Sequence, residues 1–295
     1  MNDTTYEEKL KAEADLWGDE FAQLAQSAPP DWRYYRNLRH NVIMHTADVD
    51  ELLTHIKPDM RALELGCATG WISLAMAQRG AIVTGSDLSE KALTIARRYY
   101  ESIKDQISGR VEYRTDDMNT IQLPENMYDV IVVKSVLHHL INLDHTINEI
   151  HKALKPGGLL WASDTDGDEA ALTVLIAGGL CLFLPTATSY ADKMRALLKF
   201  GVRAPSRVKA SIQAEGLSPF EGAGREHDWI KLIERQFTIE KRVDAPAFTG
   251  YVTAQLKAPD WFALPLLKTF RWIDQRLVNR KLLHNTGVIL YARKK

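Results

Sequence analysis

From residue 60 to residue 164, short unbroken apolar runs alternate with longer stretches whose apolar positions recur at helical spacing. The runs 62–65, 81–85, 110–114, 129–134 and 159–163 predict five strands. Between them, helices are predicted from Trp71, from Ser89 as a cap with Ala92, Leu93, Ile95, Ala96 and Tyr99 on the inner face, and over about 144–154. Strand and helix in alternation build a parallel sheet covered on both faces. The β-branched run Asp129-Val-Ile-Val-Val-Lys is typical of a strand buried on both sides. Upstream, Leu10, Trp17, Phe21 and Leu24 predict a helix over 5–27, with Thr4 and Glu7 at capping-box spacing and Pro29-Pro30 at its end. A second helical pattern reaches about Ile56 and stops at Pro58. Past Asp164 the alternation lapses, and a helix over 228–235 with strands over 237–243 and 288–293 would complete the sheet through an antiparallel edge. The fold class expected is α/β, a doubly wound, mostly parallel seven-stranded sheet. Residues 1–57 form an N-terminal helical segment, and 58–295 a domain with helical cap insertions at about 165–225 and 245–286.

In such sheets the strand ends carry the ligand site. The first strand ends in Ala62-Leu-Glu-Leu-Gly-Cys-Ala-Thr-Gly70, a turn with glycines at Gly66 and Gly70 that opens a helix. Glycine permits positive φ and close approach of a ligand, and the helix start offers unpaired N–H groups. The spacing Gly66-x-x-x-Gly70 departs from the G-x-G-x-x-G dinucleotide fingerprint. With Glu64 before the turn, Asp87 seventeen residues after Gly70, Asp117-Met118 after the third strand, Tyr-Asp-Val-Ile-Val-Val as the fourth and Leu-Lys-Pro-Gly-Gly before the fifth, residues 58–164 resemble the class I S-adenosylmethionine (SAM) methyltransferases. The closest likeness is to small-molecule enzymes of the ubiquinone/menaquinone-biosynthesis type. That resemblance implies a Rossmann-like fold, SAM as cofactor and an N-terminal segment over the cofactor crevice. It also implies that backbone at Gly66, Cys67, Ala68 and Gly70 meets the methionine moiety, with Glu64 holding its amino group and Lys134 nearby. Asp87 would take the ribose hydroxyls, Asp117 the adenine amine, and Leu88 or Met118 the ring faces; Asp116 is an equally placed neighbour of Asp117.

Methyl transfer to oxygen requires the hydroxyl to lose its proton, a task suited to a histidine. His138 and His139 follow the fourth strand, and His138 is the favoured base. Tyr34, Tyr35, Arg36, His40 and Asp164 are candidates for contact with the acceptor. No metal is expected: Asp164-Thr-Asp166-Gly-Asp168 misplaces the glycine of a calcium loop and has Leu175 at its twelfth position.

Composition changes this picture in one respect. The 295-residue chain is nearly neutral at −1, yet from Lys231 onward thirteen Lys and Arg face five Asp and Glu, leaving +8 there and −9 before it. Two cysteines, Cys67 and Cys181, show no metal or disulfide spacing, and the polar N-terminus does not read as a signal peptide, so a cytoplasmic protein is expected. Residues 170–191 lack any charge but are interrupted by Gly178-Gly179 and Pro185, and residues 261–283 mix tryptophan, phenylalanine and leucine with Lys and Arg. Such segments suit a buried or interfacial helix rather than a span. They suggest a small or lipid-linked acceptor, met through peripheral contact of 170–185 and 261–283 with the inner face of a membrane. Nucleic acid is not expected as a partner. The reading is a SAM-dependent methyltransferase acting at oxygen; the alternatives are a noncatalytic SAM- or SAH-binding regulator and, against the glycine spacing, a nicotinamide oxidoreductase.

Overall fold

The computed structural model describes residues 5–27, 47–166, 171–200, 219–220 and 228–295. Within them β1 (Arg61–Leu65), β2 (Ile82–Asp87), β3 (Arg110–Thr115), β4 (Tyr128–Lys134), β5 (Leu154–Thr165), β6 (Phe237–Asp244) and β7 (Gly287–Lys294) form one sheet, ordered β3-β2-β1-β4-β5-β7-β6. The first five are parallel, and β7 runs antiparallel between β5 and β6, as the hydrophobic pattern predicts. Strand order reverses between β1 and β4, which opens a crevice at their carboxyl ends.

Alternation along β4 explains the two covered faces. Ile131 and Val133 join Leu63 and Leu65 in one core, beneath α5 (Leu143–Ala153) and α8 (Trp229–Gln236). Val130 and Val132 join Ala62 and Trp161 in the other, beneath α2 (Ala47–Thr54), α3 (Trp71–Gln78) and α4 (Glu90–Ile103). A residue period of two sends neighbours to opposite sides, so a strand buried on both must be apolar throughout.

A third apolar cluster joins α6 (Ala171–Phe183), α9 (Thr249–Gln255) and α10 (Asp260–Asn279). It is tied by Asp274, fully buried, whose carboxylate accepts from the N–H groups of Ala247, Phe248 and Thr249 at 2.8–2.9 Å and from the Thr249 hydroxyl at 2.7 Å. A further helix, α7 (Tyr190–Phe200), follows α6.

The N-terminal helix α1 (Tyr6–Ser27) lies against α4. Lys91 pairs with Asp15 and Asp19, and the Ser89 hydroxyl donates to the Ala14 carbonyl at 2.8 Å. Gly18 permits the approach: a Cβ there would stand 2.5 Å from Ser89 Oγ.

Thr4 of the expected capping box lies outside the described residues; beside it the Glu8 N–H donates to Thr5 Oγ1, and the Thr5 N–H to Glu8 Oε2. One strand boundary is corrected. β5 begins at Leu154, not Leu159, because Leu154 already pairs with Tyr128 before Pro156-Gly157-Gly158 bulges out and pairing resumes at Val130 and Leu159.

Candidate active site

A cavity of about 950 Å³ lies at the carboxyl ends of the parallel strands, walled also by α1, α9 and the start of β7. Its floor is the turn after β1. Gly66 has φ 73° and Gly70 φ 75°, and packing demands glycine at both. A Cβ on Gly70 would meet the Tyr113 hydroxyl at 2.2 Å, and one on Gly66 would meet Val136 at 2.9 Å. Between them Ala68 is also left-handed, at φ 49°, and its N–H donates to Asp87 Oδ2 at 2.8 Å. The N–H groups of Gly66 and Cys67 both reach the Ser86 carbonyl. The turn is thereby latched to the end of β2. Cys67 is buried, which pushes its thiol pKa up and leaves it unreactive.

Carboxylates surround this turn. Asp87 also accepts from the Ser89 N–H at 2.8 Å; burial raises its pKa, and these N–H groups oppose the rise. Glu64, 2% exposed, turns beneath the first turn of α3 and accepts from the N–H and the hydroxyl of Ser73. Burial pushes it up to about 8. The neighbours Asp116 and Asp117 diverge. Asp117 lines the cavity and accepts from the Tyr6 hydroxyl of α1 at 2.6 Å, whereas Asp116 accepts from Ser86 Oγ at 2.8 Å. Tyr6 is pushed up to about 12, by burial and then by Asp117. Leu88 and Met118 complete this end.

Lys134 lines the cavity from the end of β4, and its ammonium lies 3.3 Å from the Ser135 hydroxyl. Burial lowers its pKa against the pull of Asp164, Asp48 and Glu64. Ser135 has φ 54°, a second strained non-glycine position on the cavity wall.

The histidines lie on a single 3-10 turn, Leu137–His139. Asp164 of β5 secures it by accepting from the N–H groups of Val136 and Leu137, and its Oδ1 stands 2.6 Å from His138 Nδ1. Burial acts to raise the Asp164 pKa, but His138 and the backbone donors outweigh it and hold the group below the usual range. It is His139, less favoured by sequence, that lines the cavity together with Asp164; His138, paired with Asp164, is not among the lining residues. His139 Nδ1 is 3.3 Å from Glu13 Oε1 on α1, and Trp17 packs edge-on to the imidazole at 5.6 Å.

Glu13, Trp17, Asp48, Trp161 and Lys257 also line the cavity and were not picked out as site residues by the sequence reading. One signal was available for Glu13: it is an acid on the apolar stripe formed by Leu10, Trp17 and Phe21. Tyr34, Tyr35, Arg36 and His40 lie outside the described residues, as does Asp168. Among the described residues no group of three or more His, Cys, Asp or Glu is placed to hold a metal ion.

The sequence is similar to known proteins over this part of the fold. A methyltransferase-domain family matches residues 63–162, from β1 to β5. The ubiquinone biosynthesis O-methyltransferase of Bordetella avium is 30% identical over 177 residues, which are 59% of this chain and 68% of that one. The chain belongs to the class I SAM-dependent methyltransferases.

The Sinorhizobium medicae enzyme of the same name is 28% identical to this methyltransferase over 188 residues, 63% of this chain and 69% of the relative. Among solved structures, a SAM-dependent methyltransferase from Aquifex aeolicus shares the fold, with 12% identity, a TM-score of 0.51 and coverage of 94% and 98% of the two chains. SAM is the cofactor of this class, and the methyltransferase cavity suits it. Gly66, Cys67, Ala68 and Thr69 line the floor, and buried Glu64 with half-buried Asp87 and Asp117 stand along the cavity wall for a ligand carrying hydroxyl, amine and ammonium donors.

Proposed function

We propose that the enzyme methylates a hydroxyl group of a hydrophobic small molecule, which it meets at a membrane surface. The observation that carries this reading is the extent of the cavity. It runs from Asp87 and Asp117 at one end, past His139 and Lys134, to Pro246, Thr253, Ala254 and Lys257 at the other. Its volume of about 950 Å³ is at the top of the range for small-molecule sites, room for a cofactor and an acceptor side by side. The O-methyltransferase names of the relatives support oxygen as the atom methylated.

SAM supplies an already activated methyl group, so the protein has chiefly to align, exclude water and remove a proton. In this reading the turn at Gly66, Ala68 and Gly70 holds the methionine part, with Glu64 and Lys134 behind it. Asp87 grips the ribose and Asp117 the adenine amine, Leu88 and Met118 flank the base, and α1 closes the crevice. His139, on the cavity wall, replaces His138 as the group that accepts the acceptor's proton; Asp164 keeps the turn bearing both histidines in place.

The cap supports presentation from a lipid surface. Phe183, Leu198, Trp261 and Trp272 expose 82%, 82%, 78% and 56% of their surface, and the Arg276 guanidinium lies 3.7 Å over the Trp272 ring. The Lys257 N–H donates to the Pro185 carbonyl, which ties a lining residue at the acceptor end of the cavity to the segment that follows Phe183. No described helix is long and apolar enough to cross a membrane.

The test combines SAH calorimetry with mass spectrometry of an alkyl catechol incubated with SAM. Asp87→Ala should weaken SAH binding ~10-fold or more, the loss of charge-assisted hydrogen bonds worth ~1.5–3 kcal/mol each. The catechol should gain one methyl group. An Asp87→Ala variant that binds SAH like the wild type sinks the cofactor geometry; a catechol that stays unmethylated counts against oxygen.

A further inference from the structure

His139 does not face the cavity unaided. α1 brings an acid to it from outside the sheet: Glu13, 5% exposed, with Oε1 3.3 Å from His139 Nδ1 and 2.7 Å from the donating Trp17 indole N–H. Trp17 also packs edge-on to the imidazole, and all three side chains line the cavity. A carboxyl group almost fully withdrawn from water on an otherwise apolar helix stripe costs stability unless it is paired, so its place calls for a functional reason.

We infer that Glu13 is a positioning residue for catalysis, holding His139 from Nδ1 so that its Nε2 takes the acceptor's proton. This rests on the oxygen-methylation reading above. In the neutral imidazole one nitrogen carries the proton and the other the lone pair, and a carboxylate at Nδ1 selects the form whose lone pair is on Nε2. The balance of the step is simple. The acceptor oxygen forms its bond to the methyl carbon, the carbon–sulfur bond breaks with its electrons going to sulfur, and the hydroxyl proton moves to Nε2. The positive charge lost from sulfur reappears on the imidazolium, next to the Glu13 carboxylate that stabilises it. The active site is therefore completed by an element that precedes the sheet in the chain.

Other charges also bear on this imidazole. His138 lies beside it, ring centroids 4.0 Å apart, with Asp164 of β5 behind. Glu20 of α1, Asp117 after β3 and Lys134 of β4 line the same cavity. Only removal of Glu13 itself tests its part.

The experiment uses the full chain with isotope-labelled histidine, followed by NMR through a pH titration in the wild type, Glu13→Gln and Glu13→Asp. The Gln variant keeps the shape and an acceptor for Trp17 but loses the charge, so the His139 midpoint should move to lower pH; the Asp variant should return it toward the wild-type value. In methyl transfer from SAM to an alkyl catechol, the acid limb of the Glu13→Gln pH–rate profile should shift the same way. Its plateau kcat should fall ~10-fold or more, while SAH affinity stays within about twofold. Equal His139 midpoints in wild type and Glu13→Gln, or in Glu13→Asp and Glu13→Gln, overturn the proposal. A wild type that ignores SAH or the catechol refutes the function proposed above instead, and the titration still decides the pairing.

Discussion

Glu64 shows how one side chain can carry the pH dependence of a fold. Its carboxyl group is held by Ser73 inside the protein, and burial takes it from the ordinary 4.5 to about 8. The native state therefore keeps a proton that the unfolded chain gives up. The stabilising contribution is complete below about pH 4.5 and is lost as pH rises toward 8. Urea unfolding at pH 5 and pH 8 should show the wild type losing more stability over that interval than Glu64→Gln; equal losses would refute the assignment. At the same scale, the sequence is a good guide to which residues gather and a poor one to where they point. Spacing brings Glu64, Asp87 and Asp117 to the strand ends, because parallel strands deliver their last residues to one edge. It does not separate Asp116 from Asp117, or His138 from His139. Adjacent residues share a location and differ in direction, and direction is set by partners far along the chain: Ser86 for Asp116, Asp164 for His138.

Among the elements, the cap helices depend on a single buried carboxylate. Asp274 satisfies three backbone N–H groups and a hydroxyl at the start of α9, donors that a helix terminus otherwise leaves unpaired. Asp274→Ala would strand all four in an apolar cluster. A cost of ~3 kcal/mol or more is expected, given ~1–3 kcal/mol for each buried group left without a partner. The sheet has its own cores, so the loss should be local. Limited proteolysis should cut the variant first within 245–286, with the far-ultraviolet signal of the sheet retained; uniform resistance would show that the cap does not need this residue. An uncharged apolar run marked α6 and a mixture of aromatic, leucine and basic residues marked α10, but neither signal names Asp274, an acid in the second half of α10 that looks solvent-facing until α9 is laid against it.

For the whole molecule, the separation of charge is the feature with consequences at a distance. The last 65 residues carry +8 and the preceding 230 carry −9, and exposed tryptophans share α10 with Lys268, Arg271 and Arg276. Sedimentation with anionic vesicles should therefore show binding that weakens between ~0.1 M and ~0.5 M salt, as the Debye length shortens. Replacing Trp261 and Trp272 together by Ala should reduce it further. Equal binding to neutral vesicles, or none to anionic ones, would remove the membrane from the account.

The strand and helix positions, the parallel run of the first five strands and the antiparallel edge are properties of local sequence here, because apolar period, glycine turns and caps act over a few residues; the cofactor class came from the resemblance of residues 58–164 to a known family. Tertiary structure alone decided that α1 carries Glu13 to His139, that Asp164 pairs with His138, and that Asp274 binds two cap helices together. Each is a meeting of a charge with a partner 25 or more residues away, and such meetings are fixed by the packing of whole elements, which no local pattern encodes.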